Sequence, residues 1–366
     1  MMRRVLVIKT SSLGDVIHTL PALTDAARAY DGLRFDWVVE EAFAEIPAWH
    51  PAVDTVIPVA LRRWRKQPVR AWRSGEWRAC RERLAATNYG AVIDAQGLMK
   101  SAWLTRYTRG PVHGLDAASA RERYASRCYD HGHAVARGRH AVERVRELFA
   151  RALNYPVPTT PCDYGLDPTR IAGQAHATPT QPYLLLLHGT TWPTKHWPEA
   201  YWRELAERCC AAGWHVRLPW GNEAERERAE RIAHALPGAT VLPRLPLAGL
   251  AGELAHASAC IAVDTGLGHL AAALDIPTIS LFGPTSPDLT GAWGPRQIHL
   301  TSTLPCVPCL SRVCRFRPDA ATRATLDPRA DPPCHSHLPP ARVLDTLHSL
   351  VARYARRSPN PTRETP

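Results

Sequence analysis

In the first half of the chain, short continuous apolar runs alternate with longer stretches whose apolar positions recur every three or four residues. "VLVIK" at 5–9, "FDWVVE" at 35–40 and "AVIDAQG" at 91–97 have the length and β-branched content of buried strands. "LPALTDAARAY" at 20–30 and "WRACRERLAAT" at 77–87 have helical spacing. Such alternation predicts a parallel sheet with helices on its faces. The rhythm stops over 153–182, where Pro156, Pro158, Pro161, Pro168, Pro179 and Pro182 mark a linker. It restarts with "YLLLLHGTT" at 183–191, a helix over 198–212, "HVRLPWG" at 215–221, a charged helix over 223–235, "ACIAVDTG" at 259–266 and "PTISLFGPT" at 277–285.

The pattern predicts two doubly wound α/β domains. In both, the polar loops follow strands directly, where ligands of open α/β sheets bind. Two such edges facing each other would enclose a cleft. The expected map is a first domain at 1–155, a Pro-rich linker at 156–182 and a second domain at 183–300. A Cys-containing irregular segment at 301–338 follows, including "RFRPDAATRATLDPRADPP", then an amphipathic helix at 339–356 and a disordered tail at 357–366.

The length of 366 residues suits two separate cores, and 45% apolar with 22% charged residues excludes wholesale disorder. The net charge of +11 changes the picture because it is uneven. "RRWRKQPVRAWRSGEWRACRER", residues 62–83, carries nine Arg or Lys against two Glu, and so supplies +7 of the +11. One region therefore attracts anions: nucleic acid, a membrane face or a phosphorylated substrate. Trp64, Trp72 and Trp77 among these arginines also suit a membrane interface, and a membrane with an anionic acceptor is favoured over nucleic acid because the rest of the chain reads as an enzyme. Lys9 interrupts the first apolar run too early for a secretory signal, and no run approaches a membrane span, so a cytoplasmic protein is expected.

Two loops carry candidate chemistry. In "KTSSLGDVIHTLPAL", Asp15 suits a helix N-cap first, and is also well placed as a carboxylate that takes a proton from a hydroxyl at a strand's carboxyl end. The loop lacks the G-x-G-x-x-G spacing of a dinucleotide site, which argues against a dehydrogenase. "CIAVDTGLGHLAAALD" reads as strand, sharp turn and helix, with amides and dipole suited to a pyrophosphate, or as an ordinary turn capped by Asp264.

The series "VIKTSSLGDVIHTLPAL", "FDWVVEEAFAEIPAWHPAV", "VIPVALRRWRK", "AVIDAQGLMKSA", "HAVERVRELFA", "TKHWPEAYWREL" and "VDTGLGHLAAALDIPTISLFGPT" resembles the lipopolysaccharide heptosyltransferases, most closely the members that add the first heptose. The resemblance runs from Val5 to about Gly294. It implies the GT-B arrangement, two facing Rossmann-like domains with a central cleft. It also implies inverting transfer of heptose from ADP-heptose to the Kdo of Kdo-lipid A, peripherally at the cytoplasmic face of the inner membrane. Later-acting heptosyltransferases and sugar-nucleotide epimerases are the rival enzymes; a basic nucleic-acid binder is the rival of another class.

By this resemblance Asp15 is the catalytic base and Lys195 the second catalytic residue, stabilising charge on the departing ADP. Ser11, Ser12, Gly14, Arg62, Arg63, Lys66, Arg121 and His140 fall on the acceptor side, where His140 equally suits a buried helix position. Thr190, Thr191, Lys195, Glu225, Asp264, Thr265, Gly266 and His269 fall on the donor side, with Glu225 at ribose and Thr265 and Gly266 at pyrophosphate. No cofactor is required for this catalysis. Cys306, Cys309, Cys314 and Cys334, spaced C-x2-C-x4-C-x19-C, fit a structural zinc or iron, with His335 and His337 as alternative ligands, or unliganded thiols.

Overall fold

The computed structural model describes residues 4–176 and 180–355. The chain divides into two compact units that change over between Asp167 and Pro168, with residues 288–290 grouped with the first.

The first unit is built on β1 (Arg4–Ile8), β2 (Arg34–Glu40), β3 (Val53–Val59), β4 (Ala91–Asp94), β5 (Val112–Leu115) and β6 (His131–His133). They form one parallel sheet in the order β3-β2-β1-β4-β5-β6. Apolar side chains from both faces of β1 are fully buried, as a central strand covered by helices requires. Leu6, Ile8, Val38, Ile57, Val59, Leu84, Val92 and Leu104 form one packed cluster. Elsewhere in this unit, the Leu20–Ala29 helix packs against the Ala141–Leu153 helix. There the buried Arg146 holds Asp25 at 2.6 Å and donates to the Thr160 carbonyl at 3.0 Å.

The second unit repeats the plan with β7 (Tyr183–Leu187), β8 (His215–Leu218), β9 (Ala239–Val241), β10 (Ala259–Val263), β11 (Thr278–Phe282) and β12 (Gln297–Thr301), in the order β12-β11-β10-β7-β8-β9. Both orders reverse beside the first strand of their unit, the switch point at which open α/β sheets bind ligands. The sequence pattern marks three of the six strands in the first unit and four in the second. β3 carries Pro58, β5 and β6 are rich in His and Gly, β9 has only three residues, and β12 alternates Gln297, His299 and Thr301 with its two apolar residues.

The amphipathic helix predicted near the C-terminus spans Pro340–Ala355, and its Val343, Leu347 and Leu350 lie in the core of the second unit beside Leu205 and Ile279. Residue 356 and the predicted tail at 357–366 lie outside the described residues. The stretch expected to be an irregular loop carries a short helix, Ala320–Thr325, because Asp319 caps it by accepting from the Thr322 amide at 2.7 Å. Within 156–182, Tyr164 and Ile171 are buried. Pro168–Ala172 forms a helical turn against the Leu247–His256 helix.

Candidate active site

In the first unit the β1 chain end turns into the Leu13–Ile17 helix, whose N-cap is Ser12. Asp15 is thus not the cap but the third helical residue. Its carboxylate reaches back to accept from the Ser12 amide at 2.9 Å and the Ser12 hydroxyl at 2.7 Å. The side chain stays 46% exposed, open to a ligand. Its other oxygen lies 3.7 Å from Lys9 Nζ, and that nearly buried ammonium also donates to the Ala95 carbonyl at 3.0 Å.

The β4 loop holds this turn in place. Asp94 is fully buried and accepts from the Gln96 and Gly97 amides, the Ser101 hydroxyl and the Tyr129 phenol. Burial pushes its carboxyl above the usual range. The Gln96 side chain so fixed accepts from the Thr10 amide and hydroxyl, each at 2.8 Å. Lys100 Nζ donates to the Ser11 hydroxyl at 2.8 Å, and burial, then the Arg62 guanidinium, lowers its pKa.

The basic stretch forms three short helices, Leu61–Lys66, Pro68–Arg73 and Glu76–Ala85. Arg62 and Lys66 are exposed, and Arg121 is likewise at the surface. Arg63 is committed: it donates to Glu41 at 3.1 Å and to Glu76 at 3.0 Å. Trp64 and Trp77 turn inward, Trp64 donating to Glu76 at 2.7 Å and Trp77 stacking on Trp103 at 4.7 Å. His140 is buried as the N-cap of the Ala141–Leu153 helix, its Nδ1 accepting from the Val142 amide and its ring edge-on to His18.

In the second unit, Thr265 is the N-cap of the Gly266–Ala273 helix, and Asp264 stands one residue before it. Asp264, 7% exposed at its side chain, takes Lys195 Nζ at 2.6 Å and the Thr285 hydroxyl at 2.7 Å on one oxygen. His269 Nε2 lies 4.0 Å from the other oxygen, and the Asp264 carbonyl accepts from the Thr190 hydroxyl at 3.0 Å. Lys195 sits in the helical turn Pro193–Lys195 with its ammonium 4.7 Å from the Trp192 ring centre. The loop after β7, the β10 turn and the β11 chain end thus converge, while Thr191 is exposed.

Glu225 joins the same loop. Its carboxylate accepts from the Gly221 amide at 2.8 Å and presses on Gly189, where any Cβ would come within 2.8 Å of it. Behind the loop, burial lowers His188 to about 4 and keeps it neutral at pH 7.

Cys306, Cys309, Cys314 and Cys334 are all free thiols. Burial first, then the neighbouring Cys314, Cys306 and Cys309, pushes Cys334 up to about 12. Among the described residues, no group of three or more His, Cys, Asp or Glu side chains is gathered closely enough to hold a metal ion. His335 is instead turned to the Thr194 carbonyl at 3.3 Å and His337 to the Thr303 hydroxyl at 2.7 Å.

Lys9 and Lys100 are the residues the sequence patterns do not single out. A signal existed: of 45 basic residues only four are lysines, Lys9, Lys66, Lys100 and Lys195, and all four fall in or beside these two sites.

Residues 77–319 match the model of glycosyltransferase family 9 (heptosyltransferase). The chain is 63% identical to lipopolysaccharide heptosyltransferase 1 of Pseudomonas aeruginosa over 95% of its own length and 98% of that protein. The solved structure of E. coli heptosyltransferase WaaC with ADP is 52% identical, with a TM-score of 0.77 over 81% of this chain and 92% of that one. The same enzyme with ADP-2-deoxy-2-fluoro heptose gives 50% identity and a TM-score of 0.75 over 82% and 93%. The two switch-point sites therefore belong to an enzyme of the GT-B-like kind, and the chain is a member of glycosyltransferase family 9, the heptosyltransferases.

Proposed function

We propose that this chain moves L-glycero-D-manno-heptose from ADP-heptose to the Kdo of Kdo-lipid A, with inversion, at the cytoplasmic face of the inner membrane. The observation that carries this reading is the 63% identity to a lipopolysaccharide heptosyltransferase 1 across both units, acceptor side included. The donor is supported by the ligand named in the related solved structure and a lipopolysaccharide acceptor by the relative's name, while Kdo itself rests on the resemblance of the sequence motifs.

In this reading Asp15 accepts the proton of the Kdo hydroxyl while that oxygen bonds to the anomeric carbon of heptose. The bond from that carbon to the β-phosphate oxygen breaks, and ADP leaves with the electron pair. Lys195 and the positive end of the Gly266–Ala273 helix oppose the growing charge, with Thr265 and Gly266 at the pyrophosphate. Asp264 and His269 face the heptose, Thr190 and Thr191 the phosphates, and Glu225 the ribose. Ser11, Ser12, Gly14, Arg62, Lys66 and Arg121 meet the acceptor. Arg63 supports that surface through its two carboxylates, and His140 through the helix it caps. For the four thiols the reading is a structural zinc or iron, supported by their spacing and mutual nearness and not by a formed cage. Metal analysis of the purified protein decides it, a metal-free, stable and active enzyme removing the ion.

The test of the reaction is mass spectrometry of heptoseless Kdo-lipid A incubated with ADP-heptose. Wild type is expected to add one heptose, and Asp15→Asn, folded and still binding ADP-heptose, to lose turnover by roughly 100- to 10,000-fold. An Asn variant of normal rate would remove Asp15 as the base. No addition by wild type would remove the assigned acceptor.

A further inference from the structure

The Pro68–Arg73 helix is a place where apolar side chains are offered to solvent beside unpaired cations. Five of its six residues are exposed, and only Ala71 is buried. Val69 is 62% exposed and Trp72 76%, the highest value among the exposed large apolar residues. Three residues apart, they share one helix face. Arg70 and Arg73, with the same spacing, line the adjoining face, and Arg65 and Lys66 precede them. Among the described residues none of these four cations makes an ion pair, in contrast to Arg63 a few positions away.

The support beneath this helix is rigid. Glu76 takes Arg63, the Trp64 indole and the Ser74 hydroxyl, so the helices on either side are tied to each other. Trp64, Trp77, Trp103 and Tyr107 interlock ring on ring below. Two of the three tryptophans in the basic stretch are therefore structural. The third, Trp72, packs into nothing comparable, and a solvated helix face has no use for it.

From this arrangement we infer that the Pro68–Arg73 helix is the element that docks the protein on an anionic lipid bilayer, with Val69 and Trp72 entering the interface and Arg65, Arg70 and Arg73 pairing with phosphates. Charge complementarity selects the occupant: an indole on an apolar face flanked by arginines that no carboxylate neutralises among the described residues, Arg70 touching only the neutral Gln67 side chain, matches the headgroup layer, in which Trp and Arg both find partners. The inference rests on the proposed reaction only in that a membrane-held acceptor gives docking a use.

The experiment is co-sedimentation of the full chain with vesicles of phosphatidylcholine, with and without phosphatidylglycerol, beside heptosyl transfer to a deacylated, water-soluble acceptor. Wild type is expected on the anionic vesicles only. Trp72→Ala should weaken partitioning about tenfold, and Arg70→Glu with Arg73→Glu should lose roughly fivefold or more per charge changed. Quenching of tryptophan emission by brominated lipid should fall in Trp72→Ala, which a purely electrostatic contact would not show. Transfer to the soluble acceptor should stay within about twofold of wild type in every variant, showing that each still folds. Equal partitioning of Trp72→Ala and wild type would overturn the inference. So would capture of RNA by this face with no vesicle binding. Vesicle binding that depends on Trp72 without any heptosyl transfer would support the docking helix and strike the proposed reaction instead.

Discussion

Each unit places one lysine–aspartate pair at the carboxyl ends of its central strands, and the two pairs are built in opposite ways. In the first, Lys9 is buried and Asp15 is 46% exposed, with 3.7 Å between charges. In the second, Lys195 and Asp264 are both largely enclosed, 16% and 7% exposed, and 2.6 Å apart. A carboxylate that must receive a proton from an incoming hydroxyl has to be reachable, and a lysine at its back keeps a cation near without blocking its front. A lysine that must meet a pyrophosphate can be held against a carboxylate until the stronger anion arrives. In the proposed reaction the same two residue types would serve as an open base and as a stored cation.

The largest break of this contrast should come from Lys195→Ala. Removing the cation leaves Asp264 enclosed without its partner, at a cost of about 3 kcal/mol in stability, and transfer should slow by roughly 100- to 1,000-fold. The double variant Lys195→Met with Asp264→Asn should recover most of the stability and none of the rate. Urea unfolding beside single-turnover kinetics checks both. If the double variant regained activity, Lys195 would be structural only.

A smaller effect is expected in the open pair. Lys9→Met should cost about 1 kcal/mol, since the Ala95 carbonyl loses one donor, and should slow transfer roughly tenfold while donor KM stays unchanged. A donor KM that rose with kcat intact would show that Lys9 is not acting beside Asp15.

The contrast itself could not be read from the sequence, although both aspartates could. Asp15 and Asp264 follow apolar runs with polar loops, so periodicity and turn chemistry locate them, and two parallel sheets, though not their six strands each, are implied by the alternation of runs. Burial is what periodicity misses. Lys9 reads as the end of a strand, yet it packs beneath its own loop, because the Ala95 carbonyl from β4 offers a partner there. The outer strands escape for the opposite reason: "VHGL" is held between β4 and β6, and the edge strand "HGH" pairs only with "VHGL". Trp64 and Trp72 look alike in sequence, and only tertiary partners, Glu76 reaching back from the next helix and the ring of Trp77, separate the packed one from the exposed one.

The smallest effect on the reaction, though not on stability, concerns what lies under the two loops. The Asp15 loop rests on the Lys9 ammonium, whereas the loop that carries Thr190 and Lys195 follows His188, a neutral imidazole at the end of β7 beside the ring of Trp202. Burial lowers its pKa from 6.5 to about 4, so the unfolded chain binds the proton more readily. Between pH 6.5 and 4 the unfolded state gains protons that the folded state refuses. The contribution of this residue is complete above 6.5 and declines as the pH falls toward 4. At pH 5 the loss from His188 is on the order of 2 kcal/mol. His188→Gln, which does not titrate, should therefore lower stability at pH 7.5 yet flatten its slope between pH 6.5 and 5, as read by chemical unfolding at several pH values. A slope identical to wild type would mean that other buried histidines, His50 and His335 first among them, carry the acid sensitivity.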